Sequence, residues 1–250
     1  MIKGSEQESV DSHSGAEAAL RDLGGRLIRA QEEERSRIAR ELHDDLSQRL
    51  ALLSIELEQL CQKIPARQGD LRSRIQDAWA KAQEISVEIH RISYQLHPSK
   101  LEHLGLASAV KSCCDELSAR HGVRIMFRDR GVPAALPKDV ALCVFRIAQE
   151  ALRNVVRHSG APEARVVIGM AGRCVHLCVS DSGAGFDVEA AARKKGLGLV
   201  SMTERLRLVG GELTIRSRPS RGTQIDALVP LAKAVADFET TAAGGIPSPP

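Results

Sequence analysis

His43 stands in the run Glu41-Leu-His43-Asp44-Asp45-Leu-Ser-Gln48, an imidazole followed at once by two carboxylates. An unperturbed imidazole titrates near pH ~6.5, so at neutral pH much of it carries a free nitrogen lone pair. A neighbouring carboxylate can hold the proton of the other ring nitrogen and aim the nucleophile outward. The apolar positions Ile38, Leu42, Leu46 and Leu50 step by four, and Leu53, Leu57 and Leu60 continue the stripe. At ~100° per residue this makes one face of a long amphipathic helix. His43 lies beside the stripe, within reach of a partner. The run of fours lengthens the hydrophobic repeat, so the helix is expected to be straighter around His43.

Three further blocks suit a phosphorylated nucleotide. In Glu150-Ala-Leu-Arg-Asn154-Val-Val-Arg157-His158, the residues Glu150, Asn154, Arg157 and His158 fall on one side of a helix. Glu150 and Asn154 offer hard oxygens for Mg²⁺, while Arg157 and His158 can meet phosphate oxygens. A solvated helix face explains this block equally well. In Val179-Ser-Asp181-Ser-Gly183-Ala-Gly185-Phe186, a carboxylate ends an apolar strand and two glycines allow close backbone approach. Asp181 can accept a hydrogen bond from an exocyclic amine such as that of adenine. A plain tight turn is the alternative. Lys195-Gly196-Leu-Gly198-Leu199 precedes a helix whose free N–H groups favour phosphate. No Gly-Lys-Ser/Thr occurs there, which excludes the Walker phosphate loop. The short span before it suits a mobile lid.

The elements that must position these groups follow from periodicity. Residues 1–15 are polar and expected to be disordered, and 16–97 form a helical hairpin. Gly24-Gly25 interrupts its first helix, either as a flexible joint or as a tolerated cost of ~1 kcal/mol per glycine, and Pro65 and Gly69 end that helix. The second helix carries Leu71, Ile75, Ala78, Ala82, Ile85, Ile89, Ile92 and Leu96, a coiled-coil seam that stops at Pro98. Two helices with one stripe each bury both by pairing with a second copy, which predicts a homodimer through a four-helix bundle. A plain coiled-coil spacer would carry the same seam. A linker at 98–105 leads to an α/β sandwich at 106–231, with strands expected near 123–127, 165–170, 175–179, 212–216 and 223–229. Helices are expected over 106–121, 138–158 and 199–209. Residues 232–250, rich in Ala, Gly, Thr and Pro, are expected to be a disordered tail. The fold class is α+β.

Composition narrows the function. Of 250 residues, only 2% are aromatic, so the core is aliphatic and base-stacking platforms are scarce. A net charge of +3 is too weak a bias for nucleic acid, and no direct nucleic-acid contact is expected. No apolar run approaches the ~18 residues of a membrane span, so a cytoplasmic location is expected. The six cysteines fit no metal pattern: Cys174, His176 and Cys178 share a strand face but lack a fourth ligand. Reduced structural thiols are expected.

Together the three blocks resemble the N, G1 and G2 boxes of Bergerat-fold ATPases, in particular those of sensor histidine kinases. Arg35 to Gln48 is similar to the phosphoacceptor motif of the HisKA_3 subfamily, typified by nitrate and nitrite sensors. Leu96-His-Pro98-Ser-Lys-Leu101-Glu-His-Leu104-Gly105-Leu106 is similar to that family's junction between bundle and ATPase domain. His97 and Glu102 stand where Arg and Asp are common. The resemblance covers roughly residues 26–230 and implies an ATP-dependent protein-histidine kinase. His43 would be phosphorylated, with Asp44 orienting its ring and accepting its proton. Gln48 would position water for dephosphorylating a partner. Asn154, helped by Glu150, would hold Mg²⁺, and Asp181 would read adenine. Gly183, Gly185, Gly196 and Gly198 would shape pocket and lid, with Thr223 nearby. The implied partner is a response-regulator receiver domain joined to a helix-turn-helix domain. No sensor module precedes Ala16, so a separate sensor protein, or a further part of a longer gene product, would supply the stimulus. A non-catalytic dimeric ATP-binding adaptor is the competing reading.

Overall fold

The computed structural model describes residues 3–65, 68–96, 99–193 and 197–231. Arg26–Ser99 forms one compact unit, and the chain from Lys100 onward forms the other, with which the residues up to Gly25 are grouped. The expected tail at 232–250 lies outside the described residues.

The first helix, α1, spans Lys3–Glu41. It takes in residues 3–15, expected to lack structure, and passes through Gly24-Gly25 without a break. The physical reason is the absence of proline: once a helix is nucleated, each further residue adds a bond. The chain continues through a π turn at Leu42–Leu46 into α2, Ser47–Lys63. The Ser47 N–H reaches back to the Leu42 carbonyl. The helix is therefore deformed at His43 rather than straightened. A π turn holds more residues than an α turn, and this keeps the step-by-four stripe on one face. Ile64 is extended (ψ 125) ahead of Pro65, which stops α2. The third helix, α3, runs Gly69–Leu96.

Within Arg26–Ser99 the side chains buried among the described residues are small: Ala39, Ser54, Ala82 and Ser93. Ser93 Oγ donates to the Ala39 carbonyl at 2.8 Å, a buried bond across the hairpin. The large seam residues stay open, with Leu53 44% and Ile85 52% exposed.

In the second unit, α4 (Ser99–His121) is kinked at Gly105, where φ is 77 and ψ 173. The expected linker is thus partly helical, and the core begins just after the kink at Leu106. Five strands follow in the order β1-β2-β3-β5-β4. β1 (Arg124–Arg130) pairs in parallel with β2 (Glu163–Ala171). A parallel pair needs a long crossover, here α5 (Lys138–Asn154) and a second π turn, Val155–Ser159. β3 (Cys174–Asp181), β5 (Thr223–Pro230) and β4 (Glu212–Ser217) add on antiparallel. Between β3 and β4 lie α6 (Val188–Arg193) and α7 (Leu197–Leu208). α6 falls in the span expected to suit a mobile lid.

Strand alternation sends Val166, Ile168, Val175, Leu177, Val179, Ala227 and Val229 to one sheet face, beneath α4, α5 and α7. The opposite face is polar. There His176 Nε2 lies 3.0 Å from Asp226 Oδ1, and Gln224 Nε2 donates to Asp226 Oδ2 at 2.7 Å. Burial alone would raise the Asp226 carboxyl, but these bonds hold it below the usual carboxylate range. His176 is engaged by that carboxylate, and no metal-holding group of His, Cys, Asp or Glu exists among the described residues. All six cysteines are free. Burial pushes the Cys113 and Cys143 thiols up to about 12.

Phe145 is fully buried and is the largest side chain in the core. Phe145→Ala is expected to destabilise the protein by about 3–5 kcal/mol, read as a lowered denaturant midpoint in equilibrium unfolding followed by circular dichroism.

Candidate functional site

The apolar stripe of α5 buries Val140, Val144, Ile147, Ala148 and Ala151. This rotation leaves Glu150 and Asn154 on the helix edge, half-buried. The π turn that follows buries Ser159 and ends at Gly160 in the left-handed region. Asp181 ends β3 and Thr223 begins β5, and the two are paired in register. A carboxylate and a hydroxyl thus share one rim of the sheet.

The loop after Asp181 is clamped by backbone bonds. Asp181 Oδ1 accepts from Gly183 N at 2.8 Å, and Ala184 N donates to the Ser159 carbonyl at 2.7 Å. On the other side Gly222 N donates to the Gly183 carbonyl at 2.9 Å and Ser220 N to the Ala184 carbonyl at 2.6 Å. Phe186 N donates to Ser217 Oγ at 2.9 Å. The strands lie so close that glycine is required. Gly185 (φ 58) and Gly222 (φ 74) sit in the left-handed region, where a Cβ would strike the carbonyls of Arg218 and Asp181 respectively.

Between α5, this loop and α7 lies a cavity of ≈ 370 Å³. Ala151, Val155, Val179, Phe186, Leu199 and Ile225 give it apolar walls, and Asn154, His158, Ser159, Asp181 and Thr223 give it a polar rim. Volume and lining match a small-molecule pocket with a few orienting groups. Asp181 Oδ2 has no protein hydrogen-bond partner among the described residues. It is left as an acceptor at the wall.

Of the residues expected from sequence, Asn154, His158, Asp181, Gly185 and Thr223 line the cavity. Gly183 backs it, pressed against the Ser159 carbonyl. Glu150 sits one turn before Asn154, where its Oε2 accepts from Arg153 at 3.0 Å and its carboxylate packs against Gly198. Arg157 is exposed and outside the cavity wall. Gly196 lies outside the described residues. Sequence reasoning passed over Ser159, Phe186 and Leu199. Ser159 carried a signal, since it lies four residues after the inward Val155. The carboxylate and amide oxygens of Glu150 and Asn154 fit a hard cation, and the pocket with its free acceptor fits an adenine ring.

In the helical unit His43 is exposed on its π turn, and its ring stands edge-on to that of His90, centroids 5.5 Å apart. Asp44 and Gln48 are exposed nearby on the same helix, and Asp45 accepts from Arg49 at 2.7 Å. Asp44 makes no hydrogen bond to the His43 ring among the described residues. Residues adjacent in a helical turn diverge around the axis. Arg37 is held by Glu34 and Glu41 on an exposed face.

The chain thus joins a helical hairpin displaying a histidine to an α/β sandwich with a cavity of ≈ 370 Å³. Residues 34–101 match the HisKA_3 model, described as histidine kinase. Residues 139–233 match the histidine kinase-, DNA gyrase B-, and HSP90-like ATPase model. The chain belongs to the sensor histidine kinases of the HisKA_3 type. It is 34% identical over 217 residues to the sensor histidine kinase MctS of Rhizobium johnstonii, covering 86% of this chain and 47% of that protein. It is 31% identical over 211 residues to the signal transduction histidine-protein kinase/phosphatase DegS of Brevibacillus brevis, covering 84% and 54%. The chain therefore spans about half the length of these curated relatives. A histidine kinase domain from a blue-light activated kinase of Erythrobacter litoralis is similar at a TM-score of 0.47 and 16% identity, covering 74% of this chain and 95% of that one. Among the described residues no helix is long and apolar enough to cross a membrane.

Gly222→Ala places a methyl group against the Asp181 carbonyl at a positive φ. The expected cost is about 1–3 kcal/mol, with binding of a fluorescent ATP analogue lost because Asp181 and its loop shift. Thermal melting and fluorescence titration of the full chain check both.

Proposed function

We propose that this chain is an ATP-dependent protein-histidine kinase that phosphorylates itself on His43 and passes the phosphoryl group to an aspartate of a response-regulator receiver domain. The observation that carries the reading is the clamped cavity with the free Asp181 oxygen at its rim, in a chain that also exposes His43 on a helix. Asp181 accepts the exocyclic amine of adenine, while the apolar walls enclose the ring. Glu150 and Asn154 hold Mg²⁺, which would neutralise phosphate charge when bound. Thr223 and His158 supply further polar contacts, and Gly198 lets the start of α7 approach Glu150.

In its neutral form the His43 ring offers a nitrogen lone pair. A nitrogen–phosphorus bond forms, the bond from the terminal phosphorus to its bridging oxygen breaks, and ADP leaves. Asp44 takes the proton released by the ring. Transfer onward exchanges this labile bond for an acyl phosphate on the receiver, and Gln48 positions water for the separate hydrolysis of that acyl phosphate to inorganic phosphate. The receiver partner carries a helix-turn-helix domain, and a separate sensor protein can supply the stimulus. The reaction places the chain in the cytoplasm, where ATP and receiver domains are found.

The exposed seam supports a homodimer. Leu53, Leu60, Leu71 and Ile85 are 44–52% exposed in a single chain, and a second hairpin covers them. Ile85→Asp is expected to halve the mass seen by light scattering, because it puts a charge into that interface.

Incubation with ATP labelled on its terminal phosphate is expected to give acid-labile, alkali-stable label that vanishes in His43→Gln. Asp181→Asn keeps the shape but removes the charge, and is expected to raise the KM for ATP about 10–100-fold. Label persisting in His43→Gln refutes the phosphoacceptor. Nucleotide binding with no label in the unaltered chain leaves the adaptor reading instead.

A further inference from the structure

The ring planes of His43 and His90 meet at 85° with centroids 5.5 Å apart, and both side chains are exposed. His90 Nδ1 lies 2.9 Å from the carbonyl of Ser86, one turn earlier on α3. A carbonyl only accepts, so this nitrogen carries a hydrogen in either charge state of the ring. Nε2 is then the nitrogen that gains and loses a proton. It bonds no protein group among the described residues.

The geometry points to His90 as a positioning residue for the phosphorylated state of His43: an anchored imidazole that becomes a cation beside the phosphoryl group. This rests on the assignment of His43 as phosphoacceptor. Phosphorylation brings close to two negative charges to the pair, and Nε2 of His90 then takes a proton. The Ser86 bond holds the ring in place in both states.

Nearby acidic groups other than Asp44 are paired, and Arg40 remains a cation on α1. On its own helix, Glu88 is occupied by Arg91. On the π turn, Asp45 is bound to Arg49, leaving Asp44, while α2 adds the neutral Gln48. On α1, Arg40 Nε donates to the Ser36 carbonyl and Glu41 is bound to Arg37. An imidazolium at residue 90 also protects the product. The nitrogen–phosphorus bond breaks faster when the unphosphorylated nitrogen of that ring is protonated, and a neighbouring cation opposes that proton.

The test uses the full chain labelled by ATP and then freed of nucleotide, with label decay followed at pH 7. His90→Gln is expected to lose label about 3–10-fold faster than the unaltered chain, while His90→Lys, which keeps a cation, decays at close to the unaltered rate. Circular dichroism confirms that both variants keep their helices. In parallel, selectively labelled histidine followed by NMR is expected to show the His90 midpoint rising by about one pH unit on phosphorylation of His43. Equal decay of all three chains with an unmoved midpoint overturns the role of His90 and leaves the kinase intact. Equally fast decay of both variants shows that ring shape rather than charge matters, which also overturns it. An unaltered chain that takes no label on His43 removes the kinase reading and this inference together.

Discussion

The pocket depends on one loop being held between two backbones. The Ser159 carbonyl receives Ala184 from the α5 side, and the Gly183 carbonyl receives Gly222 from the hairpin side. Both bonds need their strands closer than a side chain permits, which is why glycines stand where they do. The same clamp fixes Asp181: Gly183 N occupies Oδ1, and Oδ2 is left at the wall. A flexible loop would let this carboxylate turn to solvent, and an apolar cavity with no fixed acceptor would not discriminate one ring from another. Orientation here is a backbone property that the side chain inherits.

His43 is presented by a different device. His43 sits where the helix widens into a π turn, and α5 widens in the same way beside Asn154. In both places an insertion in the helical ladder re-aims the residues that follow without breaking the element. The hairpin around His43 is held by small residues at the contact, with Ser93 bonded across to Ala39. Small contacts bring the helices close and leave the large aliphatic residues facing outward. A single hairpin is accordingly an unfinished core. The exposed seam and the His43 turn belong to one design, because the stripe that seeks a partner also keeps the histidine beside it rather than within it.

Much of this was legible in the sequence, and what was not has a physical cause. The α5 stripe, the alternating strands and the Asp-Ser-Gly-Ala-Gly run located the cavity residues before any coordinates. Periodicity reads burial well, and burial positions most of the rim. The π turns left no trace, since an i→i+5 bond demands no particular residue type, and the run of fours was read as straightening when the chain instead widened a turn. Polar composition points to disorder at the N-terminus, but nothing in residues 3–15 stops a helix once it has been nucleated downstream. Arg157 was grouped with the pocket on helical spacing alone. Spacing says which residues share a side, but the π turn changes the rotation between Asn154 and Arg157, and the guanidinium ends outside the wall.

Asp44 marks the sharper limit. Sequence adjacency suggested that it steers the His43 ring, yet consecutive residues on a helix face apart, and the ring's nearest aromatic neighbour comes from the other helix. Contacts across the hairpin are set by register between α3 and the π turn, and register is invisible when each helix is read by itself. His90 carries no signal in the sequence for that reason. In the proposed phosphorylation, the fixed Nδ1 hydrogen and open Nε2 of His90 would answer the charge that the ring gains, while Asp44, which makes no bond to the ring among the described residues, would have to approach it to take up the proton. A phosphoacceptor must manage both changes in turn, and a single neighbour of fixed sign can manage only one of them.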